Sequence, residues 1–265
     1  MRLFFACLIS LIGFNAFAQM NTQDTLFNQT NSKGQKQGYW KVFYPNGHIK
    51  YQGYFKNDKP LGVFKKYFED NTPKALLNYA QDGMTIRAKL FYENGELAAQ
   101  GKYIGTKKDS TWNYYSYYDK TLTNKETYQD GVKQGISYKY YPMGQICEEM
   151  NWNSGMKEGE RKQYYEDGKM KCLTTFKNNN KTGLFRVYYD NGQIELEGYY
   201  LKDIMTGKWI KYDETGKLIS TVEYVNGKAS NEKELTEKEQ EYFRMIEENK
   251  GKFAEPDIND FVPDK

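Results

Sequence analysis

The amino-acid sequence predicts an all-β protein: about eight antiparallel β-hairpins in register, forming one long twisted single-layer sheet, followed by a C-terminal capping helix. Three observations carry this. The stretch 38–229 repeats with a period of 24 residues. Two aromatic columns keep phase through every unit. Turn residues punctuate the units at fixed places. The first column stands at the sixth position of each unit: Phe43, Tyr67, Phe91, Tyr115, Tyr140, Tyr164, Tyr188 and Tyr212. The second stands at the eighteenth: Phe55, Tyr79, Tyr103, Tyr128, Trp152, Phe176, Tyr200 and Tyr224. Both step by 24, except for one 25-residue step where the fourth unit carries an extra residue near Asp119.

Within a unit, two β-prone runs flank a turn. In unit seven, LFRVYY and QIELEGYY flank Asp190-Asn191-Gly192. Asn-Gly between such runs is the strongest short hairpin signal, because the turn needs a residue at positive φ. The same glycine stands at Gly47, Gly95, Gly144, Gly168 and Gly216, while units two and four lack it. A second glycine opens most units, after polar linkers such as Lys56-Asn57-Asp58 that make the return turns. The result is a meander of about sixteen strands, roughly 75 Å long at the strand spacing of a sheet, and too long to stay flat.

The second strand of each unit alternates. Its twelfth, sixteenth and eighteenth positions are mostly apolar and the intervening ones polar, which gives one apolar and one wet face. Both aromatic columns are expected to be core, since rings present in every unit are what stacking requires. The seventh position carries Tyr44, Phe68, Tyr92, Tyr141, Tyr165 and Tyr189. These rings are expected on the opposite face, exposed beside Lys50, Lys74 and Lys171, and are the candidate binding row.

The chain divides into residues 1–18 as a signal peptide, 19–37 as a lead-in, 38–229 as the repeats, 230–250 as a helix and 251–265 as a tail. Arg2, a short apolar run and Ala16-Phe17-Ala18 form a secretory signal, with cleavage between Ala18 and Gln19. The expected location is periplasmic or extracellular, and no later segment is long and apolar enough to span a membrane as a helix. Cys147 and Cys172 then remain, one register apart in neighbouring units, and are expected to be free thiols. Residues 230–265 hold 11 acidic and 6 basic groups, whereas the array has a modest basic excess. In the tail, Leu235, Tyr242, Met245 and Ile246 share one helical face, which suits a cap on the last hairpin.

The hairpins at 38–59, 159–179, 183–203 and 207–228 join a Tyr/Phe pair (only Tyr212 in the last), an Asn-Gly-type turn and an aromatic before a polar Asn-rich linker. They resemble the MORN repeat variant of bacteria. Units two to four depart from that pattern, with Asn71, Ser110 and Asp119 where it has glycine. The resemblance implies a β-hairpin solenoid used for protein or membrane-surface contacts, in a family often labelled as antitoxins. Choline-binding repeats also use short aromatic hairpins, but they run to about 20 residues with recurrent Gly-Trp steps, and the chain has only four tryptophans.

Catalytic signals are sparse. One histidine, His48, sits beside a turn, and there is no phosphate loop, dinucleotide fingerprint, nucleophile elbow or zinc motif. Neither a metal nor a cofactor is expected. The expected function is an exported, non-enzymatic scaffold for another envelope or secreted protein. The alternatives are a glycan or cell-surface polymer binder, an antitoxin or immunity-type protein and, remotely, a hydrolase. Nucleic acid is not an expected partner of an exported chain.

Overall fold

The computed structural model describes residues 26–230. The signal, the C-terminal helix beyond Ser230 and the tail, as read from the sequence, lie outside the described residues. Among those residues there are nineteen strands in one antiparallel sheet, and neighbours in space are neighbours in sequence except that Leu122–Gln129 pairs both with the short piece Val132–Lys133 and with Gly135–Tyr140. Three strands are two-residue pieces, Gln29–Thr30, Val132–Lys133 and Lys228–Ala229. The other sixteen are the expected pairs, from Lys36–Phe43 with Ile49–Lys56 in unit one to Ile204–Tyr212 with Leu218–Val225 in unit eight.

The turn glycines do what their position requires. Tyr44 to Gly47 close one turn, with the Gly47 N–H donating to the Tyr44 carbonyl at 3.0 Å and φ at +85°. Where unit two lacks glycine, Asn71 adopts φ +72°. Unit four corrects the sequence reading. Its turn is one residue longer, and the left-handed residue is Lys120 at φ +63°, not Asp119. Return turns such as Asn57-Asp58 and Asn178-Asn179 place both residues at positive φ, the primed geometry that matches strand twist.

Each unit also carries a β-bulge. In unit one Val42 pairs with Tyr51 and Phe43 pairs with Ile49, so Lys50 is the extra residue of the bulge. The same slip recurs at Lys74 and Lys171. An inserted residue reverses the facing of everything beyond it. The twelfth position therefore does not share a face with the sixteenth and eighteenth. It pairs with the sixth, and Leu218 there is 56% exposed. The face that does bury its side chains carries the third, fifth, fourteenth, sixteenth and eighteenth positions.

The eighteenth-position column is core as expected, with Tyr103 at 1% exposure and Trp152 its one half-buried member. The sixth-position column is not. Its rings are half-buried and Phe43 is exposed. They lie on the other face, where Gln52 and Gln100 donate to the hydroxyls of Tyr67 and Tyr115 at 2.9 and 2.7 Å. The missing half of the core is the third position: Phe64, Trp112 and Trp209 are fully buried. Each packs edge-on against the eighteenth-position ring of the preceding unit, Phe55, Tyr103 and Tyr200, at 4.5–5.6 Å between centroids. A ring buried this way contributes about 1.5–3 kcal/mol, which is how one layer of sheet holds a core.

Room for the third-position rings comes from the strand before them. Gly53, Gly101 and Gly198 lie under Phe64, Trp112 and Trp209. Where the glycine is replaced by Leu77, the facing third position shrinks to Ala88.

Candidate binding surfaces

The seventh-position rings stand at the hairpin-tip edge and are half-buried struts, not the exposed row the sequence suggests. Tyr44, Tyr92, Tyr141, Tyr165 and Tyr189 each donate their hydroxyl to the sixth-position carbonyl of the next unit, at 2.7–2.9 Å. Phe68 stands in the row without a hydroxyl. The bulge aims two of the candidate lysines at this row: the Lys74 ammonium lies 5.4 Å over Phe68, and that of Lys171 lies 5.3 Å over Tyr165. Lys50 occupies the corresponding bulge in unit one. The expected association of rings and lysines therefore exists, but as internal cover. Asn46 and Asn191 add a second forward link, donating to the carbonyls of Glu69 and Glu214.

At the opposite edge the links run backward. Asp58, Asn179 and Asp203 each accept the backbone N–H of Lys36, Lys157 and Lys181 in the preceding register, at 2.8 Å. Those lysines belong to a further column that the sequence reading missed. Lys36, Lys108, Lys133, Lys157 and Lys181 lay their ammonium groups 4.6–5.3 Å from the ring centres of Phe55, Tyr128, Trp152, Phe176 and Tyr200. The buried aromatic column is thus roofed along one side by cations. The alkyl stems bury against the rings while the charged ends stay at the rim. In Lys108 to Lys181 the column is continuous through four successive units.

The buried face is apolar at both ends and charged between. One cluster runs from Phe55 to Tyr128 and the other from Phe185 to Tyr224. Between them the third position holds Ser137 and Arg161, and two carboxylates are buried, Glu126 at 6% and Glu148 at 9% exposure. Glu126 accepts from the Tyr128 hydroxyl at 2.5 Å and pairs with Lys133 at 2.9 Å. Glu148 pairs with Arg161 at 2.5 Å and with Lys139 at 3.1 Å. Burial raises the Glu148 carboxyl, but Arg161 and Lys139 outweigh it and hold the group below its usual range. Burial, followed by the charges of Arg161 and other neighbours, lowers Lys157. Burial pushes the Tyr128 phenol up, with Tyr114 and Glu126 adding to it.

Nothing among the described residues assembles a reaction centre. His48 is exposed, with Nδ1 2.5 Å from the Glu69 carbonyl, where it reinforces the turn. Glu126 and Glu148 are each occupied by their own cations. No group of three or more His, Cys, Asp or Glu side chains is placed to hold a metal among the described residues. Cys147 and Cys172 are free and half-buried, and burial raises both thiols. A shallow depression of about 350 Å³ by the first hairpin is lined by Phe27, Tyr39, Lys41 and Lys65, without a carboxylate.

The family model described as MORN repeat variant matches five stretches of the chain, residues 36–57, 84–104, 157–178, 181–202 and 205–226. The second of these is unit three, which the sequence reading had counted among the degenerate units. No curated protein matches. Among solved structures, the chain is similar to one titled "Crystal Structure of TcdB2-TccC3", at 9% identity and a TM-score of 0.21, covering 76% of this chain and 13% of that one. It is also similar to "Crystal Structure of TcdB2-TccC3-Cdc42", at 10% identity and a TM-score of 0.19, with the same coverage. The chain spans about an eighth of the length of these structures' chains.

Proposed function

Since this chain is a MORN repeat variant protein, we propose that it is an exported, non-enzymatic scaffold whose buried-face rim in units four to seven engages a protein partner. The signal-like N-terminus supports export. The observation that carries the contact surface is the break in the core. Six units stack well on apolar side chains and rings, yet Ser137 and Arg161 interrupt the column and bring Glu126, Lys133, Lys139 and Glu148 with them. Buried ion pairs are a weak route to stability compared with well-packed rings. A charged stretch of rim between two apolar clusters suits specific recognition.

The hairpin-tip row supports this reading less directly. Its hydroxyls are committed to stacking, and Lys74 and Lys171 cover two of its rings. A glycan would need those ring faces open.

The test is affinity capture with the tagged chain 19–265 from its own envelope extract, in parallel with K133Q/K157Q/R161Q and with Y165F. The proposal expects one stoichiometric protein, retained by Y165F and lost from the triple variant. Retention by all three, or a blank with cell-wall polymer bound, would refute it.

A further inference from the structure

Resting on the scaffold reading, we infer that the partner presents an acidic segment in the polyproline II conformation, with a carboxylate at every third residue, lying along the row Lys108, Lys133, Lys157 and Lys181. Three observations converge on this. The first is spacing. Successive lysines stand one hairpin apart, which is two strand separations, or about 9.6 Å. A polyproline II chain advances about 3.1 Å per residue with three residues per turn, so one side of it recurs every 9.3 Å or so. An extended β-strand instead presents the same side at every second residue, about 6.8 Å, and falls out of step at once.

The second observation is charge. The buried face of these four units carries Lys108, Lys133, Lys139, Lys157, Arg161 and Lys181 against two carboxylates, Glu126 and Glu148. Of the neighbouring acids, Asp109 pairs with Lys102 at 2.7 Å, Glu158 accepts the Asn178 N–H, and Asp203 at the end of the row is held by the backbone N–H of Lys181. The surplus of cations matches an acidic ligand. The third observation is order. Each ammonium is held against a ring of the core, Tyr128, Trp152, Phe176 or Tyr200, which sets it at the same place on the rim of each unit. A proline-rich chain brings a conformation that is already set, at low entropic cost.

The experiment uses the full mature chain and labelled synthetic peptides in fluorescence anisotropy. One peptide is (Glu-Pro-Pro)4. The other has the same composition with its four glutamates in one block. The periodic peptide is expected to bind at least about tenfold more tightly than the block, since only it can meet four lysines at once. K133Q/K157Q should weaken it at least about fivefold, K133R/K157R should restore it, and K65Q/K89Q on the other face should leave it unchanged. If K133Q/K157Q does not fold, the arginine and K65Q/K89Q variants still carry the test. Equal binding of the two peptides, equal loss in K65Q/K89Q, or no binding would overturn the inference. Peptide failure alongside capture of a stoichiometric protein leaves the scaffold reading standing. A blank capture removes both.

Discussion

Gly198 lies directly beneath Trp209: a Cβ on the glycine would sit 2.2 Å from Cδ2 of the indole, well inside contact distance. The indole is fully buried and packs on Phe185, Tyr200 and Tyr224. The glycine is therefore a space, not a hinge, and its absence of a side chain is part of the core of unit eight.

G198A should destabilise the chain by about 1–3 kcal/mol through overpacking, and W209A by about 3–5 kcal/mol through the cavity it leaves. The pair Leu77 and Ala88 shows the opposite solution at the equivalent place. The swap G198L/W209A should therefore be more stable than the sum of its single changes implies. Urea unfolding of the wild type, G198L, W209A and G198L/W209A measures this coupling, and strict additivity would contradict it.

The strut hydroxyls make a smaller, countable contribution. Y165F and Y189F each remove one hydrogen bond to a carbonyl of the next unit and should each cost about 0.5–1.5 kcal/mol. F68Y supplies the hydroxyl that row lacks and should be neutral or stabilising. Thermal unfolding reads all three, and an unchanged midpoint in both phenylalanine variants would show that the struts are replaced by water.

Glu148 predicts a specific acid sensitivity. Its folded pKa is held below the usual value of about 4.5 by Arg161 and Lys139, against the effect of burial. A depressed carboxylate contributes stability above its unfolded pKa and loses that contribution as pH falls through the folded one. Stability should decline below about pH 4.5, and E148Q should show a shallower decline while being less stable at pH 7. A parallel pH profile in E148Q would place the acid sensitivity elsewhere.

Tyr79 predicts the alkaline limb. Burial pushes its phenol up to about 12. A raised phenol contributes stability below its unfolded value of about 10 and loses it as pH rises toward 12. Unfolding between pH 10 and 12 should accompany the late part of the tyrosinate absorbance titration, and Y79F should delay it. Coincident, early titration of all tyrosines without unfolding would exclude this.

The repeat length, the hairpin turns and the eighteenth-position core could be read from the residues alone, because each depends on one residue type recurring at one place. The third position could not. Trp40, Phe64, Ala88, Trp112, Ser137, Arg161, Phe185 and Trp209 look like a variable column, since what is held constant is the summed volume with a residue on the neighbouring strand. The bulge at Lys50, Lys74 and Lys171 hid a second feature. A simple count of alternation runs straight through an inserted residue, and so it placed the sixth and twelfth positions on the wrong face. The lysine row was hidden because its partner ring lies 19 or 20 residues later.

The tip tyrosines bond to the unit ahead, and two units have no ring to do so. At the seventh position unit four has Ser116, which accepts the N–H of Tyr118 in its own turn, and unit eight has Asp213, which turns inward to the hydroxyl of Thr215 and the N–H of Lys217. The array thus reads in one direction, pauses at unit four and stops at unit eight. A duplicated copy of unit seven, spliced in before unit eight, would find every forward bond answered. The same copy appended after unit eight would meet a neighbour with no tyrosine to offer it. Lengthening this protein is therefore a matter of where, and the permitted place is internal.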